Sequence, residues 1–228
     1  MDPVNPKAAA TSSSTSPSQG LPKPGASWPD GYGCLIFDSV DSTLSEAARR
    51  ASDLVGPTWI LAQEQTAARG RRGRSWATPR GNFAATLMLR HGEEPAGAAL
   101  RSFVASLALR RAFVAITRDE SAFALKWPND VLLNGGKVAG ILLESIGDHL
   151  AIGIGVNLAH APGADQVEAN ALRPVSIADE TGVTITPIAF LDVLAKEYAE
   201  LEQQFRTYGF APIRTAWLAH AARLGEQI

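Results

Sequence analysis

Two clusters in this chain combine residue types and spacings suited to chemistry on anions. The first is Lys126–Glu144, which sets Lys126, Trp127, Asn129, Asp130 and Lys137 around a tight turn beside a run that reads as buried strand. The chain has five lysines against sixteen arginines, and two of the five fall in this segment. An ammonium is a mobile point charge toward a phosphate or carboxylate, whereas a guanidinium imposes a planar fork. Lysine in an otherwise Arg-using chain suggests that a compact cation is wanted here, although Arg-rich usage can also follow genome composition. Taken alone, Lys126 and Lys137 read equally well as solvated hairpin lysines.

The second cluster lies in Gln63–Asn82, about twenty residues without a hydrophobic period. From Arg69 to Arg80 it carries five arginines (Arg69, Arg71, Arg72, Arg74 and Arg80) and no acid, with Gly70 and Gly73 between them and Trp76 beyond. In a chain of formal charge -2 this is a local anion site, and its glycines let the backbone approach a ligand closely. Three readings compete: a nucleic-acid arm with Trp76 stacking on bases, a solvated basic loop, and a loop that orders over a polyanionic small molecule. The glycine spacing fits neither a Walker A loop nor a dinucleotide fingerprint.

The elements that would position these clusters alternate. Cys34–Phe37, Trp59–Ala62 and Phe83–Leu89 read as strands, and Asp41, Ser42 and Thr43 as the start of a helix through Leu54, with short side-chain oxygens available to cap it. Residues 96–116 have helical spacing and read as one long helix. Phe123–Lys126, Val131–Leu133, Val138–Glu144 and Leu150–Val156 read as strands, joined by turns at Asn134-Gly135-Gly136 and Gly147-Asp148. Helices follow at Pro187–Phe205 and Pro212–Ala222. The sum is an α/β (α+β) domain: a mixed, mostly antiparallel sheet flanked by helices.

Composition narrows the classes further. A length of 228 residues with 46% apolar content suits one catalytic domain. The small net charge argues against general nucleic-acid or membrane-surface binding. The single Cys34 forms no internal disulfide, which suits a reducing cytosol, and it excludes a Cys-based zinc site. His91, His149, His160 and His220 show no metal-ligand spacing and read as surface or capping residues. No apolar run approaches the roughly 20 residues needed to span a bilayer. Residues 1–32 hold little apolar content and read as a disordered Pro/Ser-rich leader ahead of a domain at 33–224.

Together the two clusters resemble the biotin protein ligase family, the biotin–[acetyl-CoA-carboxylase] ligases. The family's Gly-Arg-Gly-Arg-x-Gly-Arg loop, then Trp and Ser/Thr-Pro, is matched by Ala68–Arg74, Trp76 and Thr78-Pro79. Its Lys-Trp-Pro-Asn-Asp motif stands unbroken at Lys126–Asp130, and its Lys-(Leu/Val)-x-Gly-Ile-Leu-x-Glu strand at Lys137–Glu144. Gly153–Asn157 matches its Gly-x-Gly-x-Asn strand end, and Asp41-Ser42-Thr43 an early Asp-Ser-Thr. The resemblance implies the biotin–lipoate ligase catalytic fold, related to class II aminoacyl-tRNA synthetases. It implies ATP and biotin as substrates, Mg²⁺ with the triphosphate, biotinoyl-5′-AMP as intermediate and a lysine of a biotin carboxyl carrier protein as acceptor. A lipoate–protein ligase or acyltransferase of the same fold is the nearest rival, and an Arg/Gly nucleic-acid module the rival from another class.

By the same resemblance, Lys137 touches the biotin carboxylate and the α-phosphate, with Arg71 as its catalytic companion. Biotin is bound by Ser42, Thr43, Gln65, Ala68, Arg69, Arg71, Lys137, Gly140, Ile141, Gly153 and Gly155. The nucleotide is bound by Arg69, Arg71, Arg74, Trp76, Lys126, Asn129, Lys137 and Asn157, with Trp76 on adenine. Lys126 could instead pair with Asp130, and Ser42 could be simply a helix cap. Trp127-Pro128 reads as packing, and no acidic cluster marks metal ligands. The arginine loop, with no partner in the empty enzyme, is expected to be mobile and to close over charged ligands. Two departures stand out: Ala68 replaces the family's first loop glycine, and Leu44 stands where Asn is common. The expectation at the ends is no DNA-binding domain before residue 33, and the start of a missing SH3-like domain at 225–228. A cytoplasmic enzyme is expected, with no DNA or membrane partner and with room for a homodimer.

Overall fold

The computed structural model describes residues 25, 27–74, 76, 78–92, 94–163, 166–168 and 171–222. Seven strands form one sheet: β1 (Gly33–Phe37), β2 (Thr58–Ala62), β3 (Phe83–Arg90), β4 (Phe123–Lys126), β5 (Asp130–Leu133), β6 (Gly136–Ile146) and β7 (His149–Val156). Their order is β1-β2-β3-β7-β6-β5-β4. Only the β1–β2 pair is parallel. A parallel pair needs a crossover, and helix α1 (Thr43–Arg50) supplies it. The antiparallel pairs β5–β6 and β6–β7 are tight hairpins. The first turns on Asn134 and Gly135, at φ 50 and 76, and the second on Gly147 at φ 59, the conformations that favour Asn and Gly.

The two faces of the sheet are covered unequally, and this creates the site. One face is buried under helix α3 (Arg101–Thr117) and helix α5 (Pro187–Tyr208), with helix α6 (Phe210–Leu218) behind them. Inward residues of β3 and β7, including Phe83, Leu87, Ile152 and Ile154, meet Val104, Phe113, Phe190 and Leu194 there. Phe113 stacks on Phe123 and Phe190, at centroid separations of 5.2 and 5.4 Å. The opposite face carries a smaller core of Phe37, Val40, Leu44, Ala47, Ile60, Ala62, Met88 and Ala151, and short α1 covers only part of it. The rest of that face, on β6 and β7, stays open.

The helix read over 96–116 is two pieces: α2 (Pro95–Ala99) and α3. Leu100 N donates to Gly97 O and Phe103 N to Leu100 O, the i→i+3 pattern of a tightened turn at the junction. A short helix, α4 (Ile177–Thr181), capped by the Ser176 side chain, went unanticipated because it makes little more than one turn. His149 is 4% exposed and contacts Asp148 and Arg90, so it is not a surface residue. The reading of residues 1–32 as a disordered leader falls largely outside the described residues. Its described end packs: Gly25 N donates to Asp192 Oδ1 at 2.9 Å, and Trp28 and Tyr32 lie against the main core. Gly25, Trp28 and Tyr32 thus pack on the domain although they precede Gly33. Residues 223–228, and with them the proposed start of a further domain, lie outside the described residues.

Candidate active site

The open half of the sheet face is the floor of a cleft of about 730 Å³. Register explains why it is hollow. Gly140 on β6 pairs with Gly155 on β7, and Gly153 is flanked by Leu142 and Thr86. Three glycines projecting toward the same face remove the side chains that would fill it. Two residues from outside the sheet rest on them. A β-carbon at Gly153 would meet Leu44 Cδ1 at 2.8 Å, and one at Gly155 would run into the Trp76 indole. The floor accepts flat or apolar groups at close range, as strand glycines often do.

At one end the lining is polar but uncharged. Ser42 occupies the N-cap position of α1 with extended backbone, yet its side chain makes no capping bond. Gln65 Oε1 accepts from the Thr43 amide at 2.8 Å instead, so Ser42 is not simply a cap. Asp41 pins the entry to α1. Its carboxylate accepts from the Ser42 amide and from Arg49, and the Arg49 guanidinium holds the carboxyl below its usual range.

The other end is cationic. Lys137 Nζ lies 2.7 Å from Asp130 Oδ1 and 5.4 Å from the Trp76 ring centroid. A β-bulge puts it there: Val131 pairs with Ala139 but Leu132 pairs with Lys137, leaving Val138 extra on β6. Strict alternation would place Lys137 and Gly140, three apart, on opposite faces; one extra residue turns them to the same side. Asp130 therefore pairs with Lys137 and not with Lys126. The contact is ionic, without hydrogen-bond alignment. Lys126 and Arg72 also line the cleft, and among the described residues neither is in an ion pair.

The arginine loop folds back on itself as a tongue. Gly70 N donates to Arg74 O and Trp76 N to Ala68 O, with a single 3-10 turn at Arg71–Gly73. Three of its cations, Arg69, Arg71 and Arg74, do have partners, contrary to expectation. Arg69 contacts Glu144 at 2.9 Å and Ser45 at 3.2 Å, Arg71 donates to Asn129 Oδ1 at 3.3 Å, and Arg74 pairs with Glu168 at 2.8 Å. These are exposed contacts, worth about 0–1 kcal/mol each, weak enough to be exchanged for ligand anions. Ala68, which replaces a family glycine, does not have a positive φ. The positive φ values in the tongue belong to Arg72 (φ 59) and Gly73 (φ 74).

All sixteen residues singled out from the sequence line this one cleft: Ser42, Thr43, Gln65, Ala68, Arg69, Arg71, Arg74, Trp76, Lys126, Asn129, Lys137, Gly140, Ile141, Gly153, Gly155 and Asn157. Three need qualification. Ile141 contributes backbone only, since its side chain is 2% exposed in the helix-side core and its N–H and C=O bond Asn129. Asn157 is 3% exposed, with its side-chain amide on Val175 O, so it also anchors the neighbouring wall. Trp76 rests on the Gly140–Gly155 pair beside Lys137. Trp127 is 55% exposed, so it does not serve packing, while Pro128 lines the cleft.

Sequence reading missed Asp130 as the Lys137 partner, Leu142, and a wall formed by Pro162, Gln166–Glu168, Ala171, Leu172 and Pro174. The available signal for that wall was the long aperiodic connection after Asn157, a kind that is usually functional or disordered.

Known proteins resemble this chain in sequence and in fold. The Biotin/lipoate A/B protein ligase family model matches residues 32–157. The chain is 56% identical over 193 residues to a biotin–[acetyl-CoA-carboxylase] ligase of Paracoccus denitrificans, covering 82% of this chain and 80% of that one. It is 29% identical to the bifunctional ligase/repressor BirA of Escherichia coli over 82% of this chain, and the match spans 59% of that relative's length. The fold superposes on a biotin protein ligase from Aquifex aeolicus in complex with biotin and ATP, with a TM-score of 0.76 and 27% identity over 85% of this chain and 80% of that one.

Proposed function

This chain belongs to the biotin/lipoate A/B protein ligase family, and from its cleft we propose that it is a biotin–protein ligase working through an acyl-adenylate. The biotin carboxylate attacks the α-phosphorus of ATP, the bond to the β-phosphate oxygen breaks, and pyrophosphate leaves. An acceptor lysine amine then attacks the acyl carbon of biotinoyl-5′-AMP, AMP departs, and an amide remains. The observation that carries this reading is the continuity of the cleft. A neutral polar end at Ser42, Thr43 and Gln65 runs over a glycine floor into a cationic end, with Lys137 near the junction.

Each half suits one part of the chemistry. A ureido ring is neutral and offers two N–H donors and one C=O, so it needs a few fixed polar partners in an apolar pocket. Bringing a carboxylate to an α-phosphate sets two anions together, and cations must neutralise both as charge builds. Lys137 serves there, with Arg69 and Arg71 clamping from the tongue and Arg74, Lys126, Asn129 and Asn157 toward the nucleotide. Trp76 is already near this junction and needs only to lift from its glycines to stack on a bound ring. Mg²⁺ enters with the triphosphate. It would be held mainly by phosphate oxygens and water, as Mg²⁺ usually prefers; among the described residues no three His, Cys, Asp or Glu side chains converge. Asp130 is the lining carboxylate nearest Lys137. In this reading the acceptor amine attacks the acyl-adenylate directly, without a covalent enzyme intermediate. The acceptor is the lysine of an apo biotin carboxyl carrier protein, and the setting is the cytoplasm; no described helix is long and apolar enough to cross a membrane.

The deciding experiment is ATP–pyrophosphate exchange with biotin, repeated with lipoate. Exchange with biotin and little with lipoate is expected. Exchange with lipoate alone would move the chain to the lipoate branch, and exchange with neither would refute adenylation chemistry.

A further inference from the structure

Behind the neutral end of the cleft lies a chain of hydrogen bonds whose direction is fixed. The Thr43 backbone N–H can only donate, so the Gln65 atom 2.8 Å from it must be the amide oxygen. The Thr43 hydroxyl, 3.2 Å away, donates to the same oxygen and itself receives a proton from Thr86 Oγ1 at 2.9 Å. On the far side Gln65 Nε2 donates to Thr78 Oγ1 at 3.1 Å. An amide has two N–H groups and two carbonyl lone pairs, and a hydroxyl has one proton and two lone pairs. Both lone pairs of Gln65 Oε1 and one of its N–H groups are therefore taken. Thr43 has its proton and one lone pair taken. What remains for a ligand is a single donor on Gln65 and a single acceptor on Thr43.

Thr78 and Thr86 are 4% and 0% exposed, and neither lines the cleft. Thr86 lies between Ala84 and Met88 on its face of β3 and faces Ile60 across the strand pair, in apolar surroundings. A buried hydroxyl in such surroundings persists where it has a partner, and its partner is Thr43.

We propose that Thr78 and Thr86 are positioning residues that fix the donor–acceptor polarity with which this cleft reads a cyclic urea. The inference rests on the biotin reading above and goes beyond it. The Gln65 N–H meets the ureido C=O, and the Thr43 oxygen meets a ureido N–H. A ring in which the carbonyl is replaced by a protonated guanidine nitrogen presents donors only, so it opposes the Gln65 donor.

The test uses the whole chain, with calorimetric dissociation constants for biotin and 2-iminobiotin and the kcat of pyrophosphate exchange at saturating biotin. Thr78→Val should weaken biotin about tenfold, about 1.4 kcal/mol, while kcat changes much less. It should weaken 2-iminobiotin less than twofold, because a released Gln65 can turn its oxygen to the cleft. Thr86→Val should weaken biotin severalfold. Thr78→Ser and Thr86→Ser, which keep the hydroxyl and lose the methyl, should restore wild-type values. Equal losses for both ligands in Thr78→Val, or Ser variants no better than Val, would mean the threonines serve packing alone and would overturn the proposal. Unchanged biotin affinity in the Val variants would overturn it as well. A wild-type chain that binds no biotin is a separate failure, that of the biotin reading itself.

Discussion

Replacing Lys137 with Met tests the junction of the cleft most directly, because it removes the ammonium and leaves its counter-charge behind. Two losses add. Removing one preorganised group from the site of developing charge typically costs 10²–10³ in rate, roughly 3–4 kcal/mol. Asp130, whose side chain is 14% exposed and whose carboxylate sits 2.7 Å from Lys137 Nζ, is then unpaired and faces two incoming anions. At about 5 Å and an effective dielectric near 20, two unit charges repel by about 3 kcal/mol. Solvent in a half-open cleft reduces this to about 1–2 kcal/mol, near a further tenfold. Biotin-dependent pyrophosphate exchange in Lys137→Met should therefore fall roughly 10³–10⁴-fold, and Lys137→Met/Asp130→Asn should regain about tenfold. Lys137→Arg should not restore wild-type exchange, since a planar fork does not replace a point charge. Exchange above a tenth of wild type in the single variant would remove Lys137 from the reacting atoms. A double variant no better than the single one would show that the Asp130 charge is not felt there.

Three further outcomes follow from other parts of the structure. Ala68 carries no positive φ, so Ala68→Gly should act through ligand contact alone: a lower biotin KM or slower release of the adenylate, measured by exchange and by adenylate retention, with both unchanged counting against close approach at this residue. Arg101 and Glu202 form a buried pair at 2.8 Å between α3 and α5, and Arg101→Met should lower unfolding free energy by about 3–5 kcal/mol, because the carboxylate is left without its cation; a loss below about 1 kcal/mol by denaturant titration would contradict this. Asp41 has its folded pKa lowered by Arg49, so its contribution is present above the ordinary carboxylate pKa and fades as pH falls through the lowered value. The thermal midpoint gap between wild type and Asp41→Asn should therefore be steady at neutral pH and close below about pH 4; a gap that widened on acidification would show the opposite sign.

The strands and the larger helices were legible because their signals are local. Near-continuous apolar runs mark β3 and β7, Asn134-Gly135 marks a turn that needs positive φ, and Pro187 opens α5. The residue types of the cleft were legible too, since Lys126–Asp130, Lys137, the arginines and the strand glycines have few other reasons to occur together. Less local features were not. The α2–α3 break lies inside an unbroken helical pattern, and α4 is too short to carry a period.

By itself the sequence determined which groups are available: compact and planar cations, a neutral hydrogen-bonding set, and glycines where a sheet would otherwise be filled. Tertiary structure decided how they face one another. One extra residue on β6 turned Lys137 to the side of Gly140 and toward Asp130, a pairing that depends on register and that no spacing in the chain reveals. Gln65, 22 residues from Thr43 in the chain, replaced Ser42 as the cap of α1. Ile141, in the same motif as Gly140, went to the core because adjacent strand residues point to opposite faces. Such relations arise only when distant segments pack, because each is set by geometry across strands and not along one.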